Sequence, residues 1–167
     1  MASGDSVLVG LYPIPPGADG CATVFRLGGS TPAELLETYS FDADSVEYMD
    51  FIGRVSDRYA GAALSVRLPW VAASATTGSC TWDVAIRRLN TAEDIDVAHT
   101  YAYQSATTTA PATNGFQVTT SIAMTQAQAD AIVAGEPAIL RVRRGAASDT
   151  MVGDAQLIGA AIAVIEA

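Results

Sequence analysis

Apolar side chains recur at every second position in four stretches of this chain. Between Ala63 and Trp70, Leu64, Val66, Leu68 and Trp70 share one face, while Ser65 and Arg67 point the other way. Between Ser79 and Arg87, Cys80, Trp82, Val84 and Ile86 line one face, and Thr81, Asp83 and Arg87 the other. Phe116, Val118, Ile122 and Met124 alternate with Gln117, Thr119 and Ser121, and Ala138, Leu140 and Val142 alternate with Ile139, Arg141 and Arg143. A period of two sends successive side chains to opposite sides of an extended strand. Strands with one apolar and one polar face belong to antiparallel sheets that rest one side on a core. Parallel strands covered on both sides read instead as unbroken apolar runs. Val7–Tyr12, Ala22–Leu27 and Val46–Ile52 carry weaker strand signals. Gln156–Ile165 is apolar on both faces, as expected of a central strand or one buried in a subunit contact.

Two segments carry helix signals. Thr125 opens a Thr-x-x-Gln capping box with Gln128, followed by Ala129, Ile132 and Val133 at helical spacing and by Gly135 and Pro137 as stops. Thr31-Pro32-Ala33-Glu34 has the cap, proline and acid of a helix start, although Glu37–Phe41 reads equally well as extended. Pro13–Gly20, Ala72–Gly78, Gln104–Gly115 and Gly145–Gly153 are turn-rich and predict loops. Eight or nine strands with one or two short helices predict an all-β fold, an antiparallel two-sheet sandwich of jelly-roll type. Residues 1–20, with Pro13, Pro15 and Pro16, read as an N-terminal arm, and residues 21–167 as a single sandwich domain.

Composition sharpens this picture. The 167 residues fit one domain, and half of them are hydrophobic, enough for a core. Charged residues make up only 16%, below the usual quarter, so part of the surface is uncharged or covered by neighbours. A net charge of −9 speaks against nucleic acid and against anionic membrane surfaces. All nine basic residues are arginine, which excludes a Schiff-base or P-loop lysine. Cys21 and Cys80 lack the CxxC spacing of zinc or thioredoxin chemistry. Cys80 lies on an apolar strand face and predicts a buried free thiol, with the pairing of the two left open. The first ten residues lack the basic start of a secretory signal, and Leu157–Ile165 is too short to span a bilayer. The expectation is a soluble protein made in the cytosol.

Candidate chemistry is sparse. The one histidine, His99, follows Glu93, Asp94 and Asp96, which permits a general base or a metal ligand, but a metal wants three or four ligands. The stretch reads better as a polar turn at a strand end. Gly4-Asp5-Ser6-Val7 resembles the Gly-Asp-Ser block of a lipid esterase family without its parallel sheet or its downstream Asp-x-x-His. Asp42, Asp44, Asp149 and Asp154 fall in turns, where Asp caps backbone amides, and no calcium-loop motif surrounds them. No catalytic residue, cofactor or metal is assigned. Tyr39, Tyr48, Tyr59, Tyr101, Tyr103, Trp70 and Trp82 could supply a platform for a sugar, but Trp70 and Trp82 lie on apolar strand faces and read as core. Tyr101 and Tyr103 share one face of an expected strand and are the better candidates for a contact surface. Arg141, Arg143 and Arg144 form the basic cluster of the chain. They read either as partners for carboxylates of a neighbouring subunit or as an exposed strand face with ordinary surface pairs.

One resemblance runs through the chain from Val46 to Ile165. It rests on Tyr48-Met49-Asp50-Phe51, Tyr59-Ala60-Gly61-Ala62-Ala63-Leu64, Leu68-Pro69-Trp70 and Trp82-Asp83-Val84-Ala85-Ile86. Ala138–Arg144 and Gly153-Asp154-Ala155-Gln156-Leu157 continue it. This order resembles small jelly-roll proteins encoded among tailed-bacteriophage structural genes, in which a Tyr-x-Gly-Gly turn precedes a strand ending near Trp and a Trp-x-Val-Ala strand. Ala62 stands where the second glycine is expected. The resemblance implies a non-enzymatic virion protein, a capsid decoration or cement protein on the capsid surface. It would be made in the host bacterial cytoplasm, bind the major capsid protein and assemble as a homo-oligomer, a trimer by preference. The alternative is a carbohydrate- or receptor-binding sandwich of a tail or head fibre.

Overall fold

The computed structural model describes residues 4–28, 34–145 and 148–167. The alternating stretches form strands: β1 (Leu8–Ile14), β2 (Ala22–Gly28), β3 (Glu34–Phe41), β4 (Tyr48–Val55), β5 (Leu64–Ala72) and β6 (Ser79–Arg88). Next come β7 (Gln104–Thr109), β8 (Gln117–Met124), β9 (Pro137–Arg144), β10 (Ala155–Leu157) and β11 (Ala163–Glu166). One antiparallel sheet runs β1-β4-β9-β6-β7. In the other, β2, β3, β10 and β5 follow in order, and β8 lies along β5. β10 pairs with Trp70–Ala72 and β11 with Leu64–Arg67, both opposite the edge that β8 occupies, so they run end to end along one side of β5. The chain is an all-β, two-sheet antiparallel sandwich.

The inward halves of the alternation fill the space between the sheets. Trp70, Trp82, Phe41, Leu68, Leu140 and Leu157 are all fully buried. Each aliphatic or Phe side chain buried this way contributes roughly 1.5–3 kcal/mol relative to exposure. The aromatics meet edge to face, with Phe41 and Trp82 centroids 5.1 Å apart and Tyr39 and Phe51 5.8 Å apart. Trp70 Nε1 donates to Thr120 Oγ1 at 2.9 Å, while Trp82 Nε1 has no acceptor among the described residues. Cys21 and Cys80 are free and buried. Burial pushes the Cys21 thiol up to about 12 and raises that of Cys80 as well.

Four expectations are corrected. Among the described residues there is no α-helix, only a 3-10 turn at Gly159–Ala161. The capping box at Thr125 does form: Thr125 N–H donates to Gln128 Oε1 at 2.8 Å, and Gln128 N–H to Thr125 Oγ1 at 3.2 Å. It does not propagate, because Asp130 and Ala131 take positive φ of 55° and 48°. There the Asp130 carboxylate accepts from the Arg88 amide at 2.9 Å, and Ala129 and Ile132 enter the core. A segment this short forms no helix without tertiary support, and the tertiary contacts select a turn. The second helix start, Thr31–Glu34, lies largely outside the described residues, and Glu34 already belongs to β3.

The expected loop Gln104–Gly115 contains strand β7, an edge strand rich in β-branched threonine but without an apolar face. The expected arm is not free of the sandwich. β1 pairs with β4, Val7 and Leu8 are buried, and Val7 N–H donates to the Val164 carbonyl at 2.7 Å. Finally, Gln156–Ile165 is not one strand but two short ones joined by the 3-10 turn. No helix among the described residues is long and apolar enough to cross a membrane.

Candidate functional site

The outer face of the five-stranded sheet gathers the polar halves of three strands. On β4 the inward positions are Met49 and Phe51, which turns Tyr48 and Asp50 outward. On β9, Ala138, Leu140 and Val142 face in, so Arg141 and Arg143 face out. On β6, Trp82 and Val84 face in, and Asp83 faces out. Register brings these together. Asp50 lies directly opposite Arg141, and Arg143 sits between Tyr48 on one side and Asp83 on the other. Directly opposed residues are close enough for opposite charges to pair.

The pairs are well formed. Arg141 makes a two-pronged contact with Asp50, with Nε to Oδ1 and Nη2 to Oδ2 both at 2.7 Å. Arg143 Nε donates to Asp83 Oδ2 at 2.8 Å, and the other Asp83 oxygen accepts from Ser105 Oγ at 2.6 Å. Gly145 leaves room for this carboxylate, since a Cβ there would lie 2.6 Å from Asp83 Oδ1. Farther along β6, Arg87 donates twice to Glu93 Oε1, at 3.0 and 2.7 Å. The Asp50 hydrogen bonds hold the Arg141 guanidinium well above its ordinary range, and those of Arg87 hold the Glu93 carboxyl below the usual carboxylate value.

The segment from His99 to Tyr103, just before β7, lies across this face and packs on the guanidinium planes. Arg141 Cζ is 4.1 Å from the Tyr101 ring centroid and 5.1 Å from that of Tyr48. Arg143 Cζ is 3.7 Å from the Tyr103 centroid. These are cation–π contacts, and they fix the rings as well as the cations. Tyr101 and Tyr103 lie 6.1 Å apart with planes tilted by 35°, and His99 meets Tyr101 edge-on at 5.0 Å. All three tyrosines remain partly exposed. Burial raises the phenols of Tyr101 and Tyr103, against the pull of the nearby arginines.

Beside Tyr48, Asp50 and Arg141 opens a cleft of about 260 Å³, walled by the turn from Ile14 to Gly20. That turn is folded tightly against itself. A Cβ on Gly20 would lie 1.9 Å from Pro16 Cβ, so only glycine fits. Gly20 also bridges to Tyr48, and the Tyr48 amide donates to the Asp19 carbonyl at 3.1 Å, tying the wall to the floor.

No protein-family model and no curated protein matches this chain. Solved structures do resemble it. One is the arabinose-bound MgGH51 α-L-arabinofuranosidase, with a TM-score of 0.42, 10% identity and 94% of this chain covered. This chain spans 23% of that protein's length. A second is a family 11 carbohydrate-binding module from Clostridium thermocellum, in complex with a β-1,3-1,4-mixed-linked tetrasaccharide. Its TM-score is 0.41 at 10% identity, with 99% of this chain and 97% of the module covered. A third, TmCBM61 in complex with β-1,4-galactotriose, has a TM-score of 0.36 and 11% identity over 92% of this chain and 95% of its own.

Of the five contact residues expected from the sequence, Arg141, Arg143, Tyr101 and Tyr103 come together here. Tyr101 and Tyr103 do so from an irregular segment and not from a strand. Arg144 does not join them. It points inward, is 4% exposed, and spends its donors on Asp149 and on the carbonyls of Met151, Gly153 and Phe41. Strand alternation already separates it, since 140, 142 and 144 share one side of β9. The sequence reading missed Asp50 and Asp83, and it ranked Tyr48 behind Tyr101 and Tyr103 among the aromatics of a sugar platform. Their signal was the same alternation, which turns Asp83 outward on a strongly patterned strand and Tyr48 and Asp50 outward on the weaker Val46–Ile52 stretch.

His99 Nε2 lies 3.9 Å from Asp130 Oδ2. Asp42 caps the amide of Asp44 at 2.7 Å, and Asp94 that of Asp96 at 3.0 Å. Asp149 receives Arg144, and Asp154 accepts from Ser40 Oγ at 3.0 Å. Among the described residues, no group of three or more His, Cys, Asp or Glu is placed to hold a metal.

Proposed function

We propose that this protein binds carbohydrate, without catalysis, on the outer face of its five-stranded sheet. The observation that carries the reading is the layered arrangement of partly exposed tyrosines fixed on ion-paired arginines beside an open cleft. A sugar ring presents a flat C–H face and a rim of hydroxyls. Aromatic planes suit the first, because they are large, rigid and amphipathic. Planar guanidinium and carboxylate groups suit the second, because they meet adjacent hydroxyls with two parallel hydrogen bonds. Groups already held in place by cross-strand pairing lose little freedom on binding. Asp50 and Asp83 are each engaged by an arginine, so neither stands as a free acid–base partner, which favours recognition over hydrolysis.

Binding to a panel of soluble oligosaccharides and polysaccharides by calorimetry tests this. Tyr101→Ala and Tyr103→Ala should each weaken binding by roughly tenfold or more, as expected for a central aromatic anchor. Retained affinity in both variants, with unchanged thermal unfolding, would remove the reading.

A second reading has separate support. β8 presents Gln117, Thr119, Ser121 and Ala123 outward without a charge, and Phe25 and Leu35 on the β2–β3 edge are 61% and 67% exposed. Surface of this kind can be covered by neighbours at little desolvation cost. It fits a virion subunit, a decoration protein bound to a major capsid protein as a trimer. Retention on purified capsids and added heat resistance would support that role, and absence of both would exclude it.

A further inference from the structure

We infer that the cleft and the tyrosines beside it select uncharged oligosaccharides of more than one sugar unit, and discriminate against acidic glycans. This rests on the carbohydrate reading above and adds the charge class and minimum length of the ligand.

The charge argument starts from the pairing. The arginines of this face each have a carboxylate partner: Arg141 with Asp50, Arg143 with Asp83, Arg87 with Glu93 and, at the far end of β4, Arg54 with Asp57. No net positive charge is left over on the face. Asp19 adds a further carboxylate in the cleft wall, and the whole protein carries −9. A uronate or sulfate would have to displace Asp50 or Asp83 from its guanidinium, or approach a negative field unaided. Displacement would strand a partly buried carboxylate, since the Asp83 side chain is only 9% exposed. A neutral hydroxyl needs neither step. It can donate to a carboxylate oxygen without displacing the arginine that holds it.

The length argument starts from the sheet. The paired side chains Asp50, Arg141, Arg143 and Asp83 span β4, β9 and β6, with Tyr48, Tyr101 and Tyr103 packed on the two arginines. Adjacent strands lie about 4.8 Å apart, so the three span roughly 10 Å, more than one sugar ring covers. The Tyr101 and Tyr103 centroids, 6.1 Å apart, offer two separate planes. A monosaccharide touches part of this surface, whereas a chain crossing the strands touches all of it.

The test uses the whole protein and four probes: a neutral trisaccharide series, the matching monosaccharides, polygalacturonate and heparin. Neutral trisaccharides should bind with affinity changing less than twofold between 50 and 500 mM NaCl, and monosaccharides at least tenfold more weakly. Polygalacturonate and heparin should not be retained. Asp50→Asn uncovers the Arg141 guanidinium and should raise affinity for polygalacturonate at least tenfold at low salt, a gain that a merely structural role for Asp50 would not produce. Preferential, salt-sensitive binding of the acidic polymers by the native protein would overturn this inference while leaving carbohydrate binding intact. Equal affinity for monosaccharide and trisaccharide would overturn the length argument. No binding to any probe would overturn the carbohydrate reading itself.

Discussion

Arg143 and Arg144 are neighbours on β9, yet they serve two different regions of the molecule. Arg143 faces outward on the same side of the sheet as the cleft-lining Arg141. It gives Nε to Asp83, its plane lies under Tyr103, and its side chain stays 28% exposed. Arg144 faces inward and closes the end of the sandwich. Its side chain is 3% exposed, and Asp149 and three backbone carbonyls take its donors. Both are arginine–aspartate pairs of near-identical length, so distance alone does not tell them apart. Saturation does. An arginine whose donors all end on main chain and one buried carboxylate can only hold the chain together. An arginine with an aromatic lid and solvent at its edge can still meet a ligand. The difference predicts which substitutions cost stability and which cost binding.

The largest effect belongs to the buried pair. Arg144→Met removes the cation beside Asp149 and takes one donor from each of three carbonyls, and should lower unfolding free energy by about 3–5 kcal/mol. For a domain of this size that lowers the melting temperature by on the order of 10 °C, measurable by calorimetry. Glycan affinity measured well below the new transition should stay within twofold. A stability loss under about 1 kcal/mol would show that the carbonyls find other donors, and that saturation is not what separates the two arginines.

The same pair shapes the response to acid. Burial raises the Asp149 carboxyl, but Arg144 and the amides of Thr81 and Met151 outweigh it and hold the group below its ordinary value. A carboxyl lowered in the folded state binds fewer protons there than in the unfolded chain. Its stabilising effect is therefore complete above the unfolded value, about 3.9, and is lost as pH falls through the folded value. Glu93 and Glu136 are lowered too, chiefly by hydrogen bonds from Arg87 and Arg88, and act in the same direction. Denaturant midpoints measured from pH 7 down to pH 2 should fall steeply below about pH 4. Asp149→Asn should flatten that limb in part. An unchanged slope in the variant would mean that Asp149 is not held by its partners.

This division of β9 is legible in the sequence. The period-two pattern that marks β5, β6, β8 and β9 also assigns Arg144 to the side of Leu140 and Val142. Grouping it with Arg141 and Arg143 as one basic patch followed the charges and ignored the pleat. What the pattern could not carry was pairing order. Asp50, Arg141 and Asp83 lie far apart in sequence, and only the register β4-β9-β6 sets them side by side. β7 escaped because an edge strand of threonine and serine has no oily face to announce it. The helix expected at Thr125 had the correct local chemistry, and its reciprocal bonds exist. The Asp130 contact with Arg88, far away in sequence, decided the outcome.

The outward pairs should behave in the reverse way. Arg141→Met removes the prongs on Asp50 and the support under Tyr48 and Tyr101, all on a face with access to water. Its cost in stability should be on the order of 1 kcal/mol, because the orphaned carboxylate can be hydrated. Its cost in binding should exceed tenfold, since two rings lose their platform together. Equilibrium denaturation and calorimetric titration of the same preparation read both quantities. A variant that loses several kcal/mol and keeps its affinity would reverse the assignment of the two regions.

The smallest effect sets the floor of the comparison. Arg54 and Asp57 form a fourth arginine–aspartate pair, with contacts of 2.7 and 3.0 Å, close to those of Arg141 and Arg144. Their side chains are 54% and 69% exposed, and among the described residues no aromatic ring covers the guanidinium. Water screens such a pair and replaces either partner at once, so Asp57→Asn should change stability by no more than about 0.5 kcal/mol. Glycan affinity should not move, because the pair lies beside the Gly135 turn and away from the cleft walls. If this substitution destabilised the protein as much as Arg144→Met, ion-pair geometry alone would govern stability. Burial and donor saturation would then explain nothing about why one arginine of β9 holds the fold and its neighbour is left for a ligand.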